Sequence, residues 1–361
     1  MFFKMKITSI DLHPLILKLK KPFTISLGKV DAGHNVVVVI RTSEGIAGTG
    51  ECSPFLTING ESMETAMVIG KYLAGALDGA DPLDIESCTA VMDRLVYGNS
   101  SIKSAFDMAL YDIAAQHAGL PLYAFLGGND RKTLQTDYTI SMDTPGQMAA
   151  DAVWIRDAGF PFIKVKLGND PATDILRVQA IRQAVGNDIP LRLDANQGWD
   201  IPGAIKVLQA LEHANIQYCE EPIPRWEYTE LEKVRSQSPV PVMADESCCD
   251  HHDARRLIGL GACDMINIKL GKSGGIFKAM KIIRLAEEAG IPLMVGGFLE
   301  SRIGFTASAH LALASDQIRY MDFDSPLMFD EDPVEGGITY QANGVVAMPV
   351  EPGLGARLTE K

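Results

Sequence analysis

The stretch PFIKVKLGNDPATDILRVQAIRQAVGNDIPLRLDANQGW (161–199) decides the fold. Two short apolar runs, FIKVKL (162–167) and PLRLDA (190–195), enclose a helix-like segment and read as strands. The same rhythm extends in both directions through TDYTIS (136–141), IQYCEE (216–221), PVMADE (241–246), MINIKL (265–270), PLMVGG (292–297) and RYMDFD (319–324). Each of these eight strands is followed by room for a helix. Lys166, Asp194, Glu220, Asp245 and Lys269, near the strands' C-terminal ends, lie 28, 26, 25 and 24 residues apart. Parallel strands need helical crossovers, so the pattern predicts an α/β fold of the (β/α)8 TIM-barrel type. A doubly wound sheet is the alternative.

Outside this repeat the chain reads differently. MKITSIDLHPLILKL (5–19) and HNVVVVIRTSEGIAGTGEC (34–52) alternate or run apolar with β-branched residues, predicting antiparallel strands. Helices are predicted over 61–77, 84–96 and 100–119, the last with an apolar stripe at 102, 105, 109, 110, 113 and 114. Strands followed by helices make an α+β module. GGITYQANGVVAMP (336–349) predicts a small hairpin that returns to it. The expected organisation is a capping domain over 1–130, a barrel over 131–325 and a returning tail over 326–361.

Composition narrows the function. With 361 residues, 33 Lys+Arg against 46 Asp+Glu and a net charge of −13, the chain lacks the basic surface that phosphate contacts require, so no nucleic-acid partner is expected. No run of eighteen apolar residues predicts a membrane span, and MFFKMKITSIDL lacks a signal-peptide core, so the expected location is cytoplasmic. The six cysteines form no C-x-x-C pair. Cys248-Cys249-Asp250-His251-His252 reads as a loop and helix start, since neighbours on a turning chain cannot converge on one ion. Gly271-Lys272-Ser273 is no P-loop, because Ile266 stands where the first glycine belongs.

In a barrel, chemistry sits at the C-terminal ends of the strands. There, Asp194, Glu220 and Asp245 come from three successive strands. Buried together, three carboxylates repel unless a cation joins them, and oxygen ligands suit Mg²⁺ before Mn²⁺. The plainer alternative is surface acids, or salt bridges to barrel lysines. Lys164 and Lys166 share the inward face by strand alternation, and Lys269 lies on the opposite side of an eight-stranded ring. A nearby cation such as Lys164 would lower the pKa of Lys166. Two amines flanking a metal-held substrate could remove a proton from one face and return one to the other, as an epimerase requires.

IKVKLG (163–168), LRLDANQGW (191–199), CEEP (219–222), MADES (243–247) and NIKLGKSGG (267–275) resemble the enolase superfamily, muconate-lactonizing subgroup. SAFDMALYDIAAQHAGLPLYAFLGG (104–128) resembles the end of its capping domain. Members use a Lys or His base with Mg²⁺ stabilising an ene-diolate. The resemblance implies Asp194, Glu220 and Asp245 as ligands of one Mg²⁺, Lys166 and Lys269 as acid/base catalysts, and Glu221 and Glu246 turned away from the ion. Asp322-Phe323-Asp324 is similar to the motif with which dipeptide epimerases hold a substrate's free ammonium; Thr139, Lys164 and Gly297 occupy other substrate-facing positions. Specificity would come from PFTISLGKV (22–30) and CSPFLTING (52–60), where Ile25, Leu27, Gly28, Phe55 and Leu56, with Phe298, imply a small, mostly apolar pocket. Gly28 occupies the position where Ala-Glu epimerases often carry arginine, and ECSPFLTINGESMETA, DESCCD and GGFLESRIGFTA are similar to D-Ala-D/L-Ala-type epimerases. The implied partner is a dipeptide, with homo-oligomerisation left open. An o-succinylbenzoate synthase or muconate cycloisomerase-like activity is the alternative, and would not use an ammonium site.

Overall fold

The computed structural model describes residues 4–359, so the first three residues of the N-terminal stretch and the last two of the tail lie outside it. The N-terminal part is an antiparallel sheet of β1 (Ile7–Ile25), β2 (Gly28–Thr42) and β3 (Ala47–Cys52), with helices α1 (Met63–Leu77), α2 (Ile85–Leu95) and α3 (Ser100–His117). β1 pairs with β2 out to Ile25 opposite Gly28, leaving Ser26 and Leu27 as a hairpin tip. The sequence stripe predicted a one-sided α3, yet every residue from Ser101 to Ala115 is buried. The sheet covers one side of the helix at close range. A Cβ on Gly48 or Gly50 would lie 2.1 or 2.0 Å from the carbonyls of Ala109 or Ala105. On another side, Asp107 accepts hydrogen bonds from Ile276 N (2.5 Å) and Phe277 N (3.2 Å) at the start of a barrel helix.

After α4 (Leu122–Phe125) and the short β4 (Leu134–Gln135), eight strands form one parallel sheet in chain order: β5 (Tyr138–Ile140), β6 (Ile163–Lys166), β7 (Leu191–Asp194), β8 (Ile216–Glu220), β9 (Val242–Ala244), β10 (Met265–Lys269), β11 (Leu293–Gly296) and β12 (Ile318–Met321). The intervening helices are α5 (Pro145–Asp157), α6 (Pro171–Val185), α7 (Ile201–Ala210), α8 (Leu231–Gln237), α9 (His251–Leu260), α10 (Leu270–Ser273), α11 (Ile276–Ala289) and α12 (Arg302–Leu313), with α13 (Ser325–Met328) after the last strand. Thr144, Asp170, Asp200, Asp250 and Ser301 cap the helices that follow five of the strands, each accepting from a backbone N–H of the first turn. The Cys248–His252 run is thus the start of α9.

No backbone ladder joins β5 to β12 among the described residues. Side chains tie the seam instead. Phe323 N donates to Thr136 Oγ1 (2.8 Å), and Thr139 N to Asp324 Oδ2 (2.7 Å). Arg192 Nη1, from inside the barrel, reaches both Asp137 Oδ2 (2.8 Å) and Met321 O (3.0 Å).

In the tail, β13 (Val334–Gly336) pairs with β16 (Ala356–Leu358). The predicted hairpin, β14 (Thr339–Tyr340) and β15 (Val345–Ala347), is mounted on β4 rather than on the N-terminal sheet. Contact with the helices before the barrel comes from Gly353 and Leu354. Leu122 N donates to Gly353 O (2.9 Å), and Leu354 N to Asp112 Oδ1 (2.8 Å). No helix among the described residues is long and apolar enough to cross a membrane.

Candidate active site

Period-two alternation on β6 sends Ile163 and Val165 under the helices and leaves Lys164 and Lys166 on the inner face. Lys166 pairs in register with Asp194, and Asp194 with Glu220, so three charged groups share one level of the barrel. Lys166 Nζ lies 2.6 Å from Asp194 Oδ2. Lys164 Nζ lies 2.7 Å from Glu220 Oε2, 3.4 Å from Asp194 Oδ2 and 2.7 Å from Asp322 Oδ2. On the far side, Lys269 Nζ lies 2.7 Å from Asp245 Oδ2 and Lys272 Nζ 2.5 Å from Asp245 Oδ1. Asn267 Nδ2 donates to Glu220 Oε1 at 2.6 Å.

The carboxyls respond in opposite directions. Burial works to raise Asp194, but Lys166 and Lys164 outweigh it and hold the group below its usual range. Asp245 is likewise held low against burial, by Lys269 and Lys272. Glu220 goes the other way: burial, then the charge of Asp194, push it up to about 8 against Lys164. Lys164 and Lys269 are held protonated, because neighbouring carboxylates more than offset the burial that would strip them. Glu221 turns aside to accept from Asp245 N (2.7 Å) and Ser247 N (3.2 Å), and Glu246 accepts from Asn196 Nδ2 (3.2 Å).

A hard divalent cation fits the trio Asp194, Glu220 and Asp245. Glu220 Oε2 and Asp245 Oδ1 are buried acceptors without a hydrogen bond, since the nearby lysine amines approach off the bonding direction. An acid raised by burial and then by a neighbouring carboxylate, as Glu220 is, is where positive charge is wanted. A tighter acid cluster lies elsewhere: Asp137, Asp322 and Asp324 offer three oxygens within 4.8 Å of one another. These are already engaged by Arg192, Lys164 and Thr139 N. Asp322 is held low against burial by Lys164 and Lys166, whereas burial and the charges of Asp322 and Asp137 raise Asp324. This second cluster suits one monovalent cation that can donate hydrogen bonds, such as an ammonium.

Asp322 and Asp324 open onto a cavity of about 70 Å³ that is also lined by Lys166 and Lys269, the lysines paired with Asp194 and Asp245, and by Thr139, Asn196, Gly297 and Phe298. Ile25, Val30, Phe55 and Leu299 form its upper wall and also belong to a cavity of about 410 Å³ above it. Leu27, Gly28, Lys29, His34, Leu56, Glu61 and Glu64 line that upper space. Of the residues expected to form a small apolar pocket, Ile25 and Phe55 line both chambers, Leu27, Gly28 and Leu56 only the upper one and Phe298 only the lower, and the upper chamber also carries charged side chains. Phe55 stacks on Phe298 with ring centroids 5.6 Å apart, and the Phe298 ring faces Lys269 Nζ at 5.0 Å. Gly297 must be small: a Cβ there would lie 2.5 Å from Glu300 Oε2.

Several site residues escape sequence reasoning. Arg192 shares the inward face of β7 with Asp194, a signal that alternation carries, but its partner Asp137 comes from 55 positions away. Lys272, set aside with the P-loop decoy, donates from a fully buried amine to the carbonyls of Asp245, Cys248 and Asn267. Asn196 and Gln197, after Asp194, hold φ values of +40° and +70° without being glycine, and backbone strain of this kind gathers at functional sites.

Residues 8–127 match the family described as mandelate racemase / muconate lactonizing enzyme, N-terminal domain, and residues 147–361 the family described as enolase C-terminal domain-like. The chain is 57% identical over 352 residues to the D-Ala-D/L-Ala epimerase of Cytophaga hutchinsonii, a match spanning 98% of this chain and 96% of that protein. It is 41% identical over 352 residues to the hydrophobic dipeptide epimerase of Enterococcus faecalis, spanning 97% and 99% of the two. A crystal structure of the dipeptide epimerase from Cytophaga hutchinsonii, complexed with Mg and D-Ala-L-Val, matches with a TM-score of 0.98 at 56% identity, covering 99% of this chain and 97% of that one.

Proposed function

The chain belongs to the enolase superfamily, in its mandelate racemase / muconate lactonizing enzyme subgroup, and from that premise we propose that it is a Mg²⁺-dependent dipeptide epimerase. It inverts the α-carbon of the C-terminal residue by two-lysine proton transfer, on dipeptides of Ala or other small apolar residues. The observation that carries this reading is the lower cavity, where two lysines from strands four places apart in the sheet face an acid cluster short of one cation.

Asp194, Glu220 and Asp245 would hold Mg²⁺ at the cavity floor. When bound, the ion supplies a Lewis acid for charge developing on the substrate carboxylate. Asp322 and Asp324 take the substrate ammonium, with Lys164 fixing Asp322 and Thr139 N fixing Asp324. Anchoring this remote group places the α-carbon between Lys166 and Lys269. One of Lys166 and Lys269 removes the α-proton while the other, on the opposite face, delivers one, and the reverse direction exchanges the roles. Gly297, Phe298 and Phe55 close the cavity over the reacting centre, and Ile25 and Gly28 bound the entry to the upper chamber. A cytoplasmic location is supported by six free cysteines.

Incubation with Mg²⁺ and dipeptide libraries in D₂O tests the reading. The expected result is a mass gain of one in Ala-containing and small apolar dipeptides, with appearance of the second epimer. No exchange into any dipeptide would overturn it.

A further inference from the structure

Gly297 and Phe298 line the lower cavity, yet what holds their loop comes largely from the other domain. Glu51, at the end of β3, is a buried carboxylate outside that cavity. It accepts from Ser301 N (2.9 and 3.1 Å), Ser301 Oγ (2.6 Å), Gly304 N (2.9 Å) and Asn35 Nδ2 (2.8 Å). A carboxylate of the N-terminal sheet thus sits on the N-terminus of barrel helix α12, where four N–H groups lack helical partners. Asn35 Nδ2 also donates to Leu299 O at 2.7 Å. Between these two fixed points Glu300 folds back, and its Oε2 accepts from Phe298 N at 2.5 Å. Ser325 Oγ, donating to Phe298 O at 2.8 Å, holds the loop from the barrel side.

We infer that Glu51 is a positioning residue for Lys269: by clamping residues 299–304 it holds the Phe298 ring over the Lys269 ammonium and so fixes the direction from which that amine meets the substrate. The link is a chain of contacts, from Glu51 to Ser301 and Gly304, through Glu300 to Phe298 N, and from the Phe298 ring to Lys269 Nζ. A ring face attracts an ammonium and limits where it can lie. Glu51→Gln breaks the chain at its start. Its two oxygens face only N–H and O–H donors, so an amide NH₂ must point at one set of them. That Lys269 is one of two acid/base groups rests on the function proposed above.

The test has two arms. In protein carrying ¹³Cε-labelled lysine, the Lys269 signal is the one missing from Lys269→Met, and Phe298→Leu marks its position without the ring. Glu51→Gln should move the wild-type signal toward that ringless position, and Ser301→Ala, a milder lesion that keeps the carboxylate, should move it part of the way. A wild-type signal in both folded variants would overturn the inference. In the second arm, α-proton exchange in D₂O is measured separately from each epimer. Glu51→Gln should slow exchange of the epimer served by Lys269 roughly 10- to 100-fold, the scale of a misplaced catalytic group, with KM nearly unchanged and the other epimer spared. Equal slowing of both epimers, or a change in KM alone, would mark a merely structural role and also overturn it. If wild-type protein exchanges no dipeptide, the proposed function falls while the lysine signal still decides the positioning claim.

Discussion

Asp322→Asn isolates the ammonium site. Asp322 is 8% exposed and Asp324 3%, so a substrate ammonium placed between them leaves most of its water behind. At about 3 Å and an effective dielectric near 20, the attraction to one carboxylate is about 5 kcal/mol before desolvation is counted. Removing one partner of a buried, hydrogen-bonded charge pair costs about 2–5 kcal/mol net. That corresponds to a loss of roughly 30-fold to a few thousand-fold in kcat/KM for a free-amine dipeptide. The fold should survive, because the asparagine carbonyl still accepts from Lys164, which keeps Glu220 at 2.7 Å and Asp194 at 3.4 Å. The assay is epimerisation kinetics on a dipeptide and on its N-acetyl derivative, with Mg²⁺ affinity followed by thermal shift. Most of the loss should appear in KM, the N-acetyl compound should be poor for wild type and little affected by the substitution, and Mg²⁺ affinity should hold. Free-amine kinetics within threefold of wild type, or equal losses on both compounds, would refute an ammonium site at Asp322.

The remaining tests probe the lysines, the metal and a residue far from both. Lys166→Ala and Lys269→Ala should each abolish epimerisation, while exchange of one epimer's α-proton with solvent can survive in each; full epimerisation by either variant sinks the two-base scheme. Chelation by EDTA should abolish exchange and lower the melting temperature toward that of Asp245→Asn, and added Mg²⁺ should restore both in wild type only. His310 is buried in α12, its Nδ1 accepting from Tyr123 N (3.0 Å) and its Nε2 facing Leu354 O (3.0 Å), so the folded ring is neutral with Nε2–H donating. Burial pushes its pKa down to about 4. As pH falls below the unfolded value of about 6.5, the unfolded chain takes the proton first, so stability present at pH 7 is lost progressively down to about pH 4, by about 3 kcal/mol. Asp112, pushed up to about 6 by burial, works in the opposite sense nearby, so the comparison is with His310→Gln. Denaturant unfolding should show the gap between wild type and variant shrinking by about 3 kcal/mol between pH 7 and pH 4, and a constant gap refutes the assignment.

What the chain discloses in one dimension follows from periodicity. Alternation on β6 and β7 puts Lys164, Lys166 and Asp194 on one inner face, and the near-regular steps between strand ends align Glu220, Asp245 and Lys269 with them. Asp322 and Asp324 are legible for the same reason. What alternation cannot report is which group answers which across the barrel. Arg192 is inward by rule, but its service to Asp137 and to the β12 carbonyl of Met321 depends on how the ring closes. Lys272 follows the strand on a single helical turn, where no period indicates its direction. The burial of α3 on all sides is not legible because Lys103, Asp107 and Asp112 read as a polar face, although each finds a hydrogen-bond partner, Lys103 at Val96 O, Asp107 at Ile276 N and Asp112 at Leu354 N. Ile25, Leu27, Phe55 and Leu56 are legible as pocket residues from their two loops, but the volume they enclose with His34, Glu61 and Glu64 is not, because it depends on how the loops are spaced.

The distribution of charge inside the barrel explains why so many polar groups are buried at all. Around the lower cavity, Asp137, Asp194, Glu220, Glu221, Asp245, Glu246, Asp322 and Asp324 are buried with only Lys164, Lys166, Arg192, Lys269 and Lys272 to answer them. Burying a charge is costly unless it is paired, and a set with eight acids and five cations cannot be paired throughout. The shortage is not spread evenly. Asp194, Asp245 and Asp322 are held low by lysine amines, whereas burial raises Asp137, Glu221, Glu246 and Asp324, and also Glu220 despite Lys164 at 2.7 Å. Those raised acids lie at the ends of β8 and β9, after β12 and, for Asp137 beside Arg192, just before β5. A core selected for stability alone would replace them with apolar side chains of similar size. Under the proposed function, a divalent ion would answer the shortage among Asp194, Glu220 and Asp245, and a substrate ammonium the one at Asp322 and Asp324. On that reading, part of the interior is held short of its most stable arrangement until ion and substrate complete it, in the cavity that Lys166 and Lys269 line from strands four places apart.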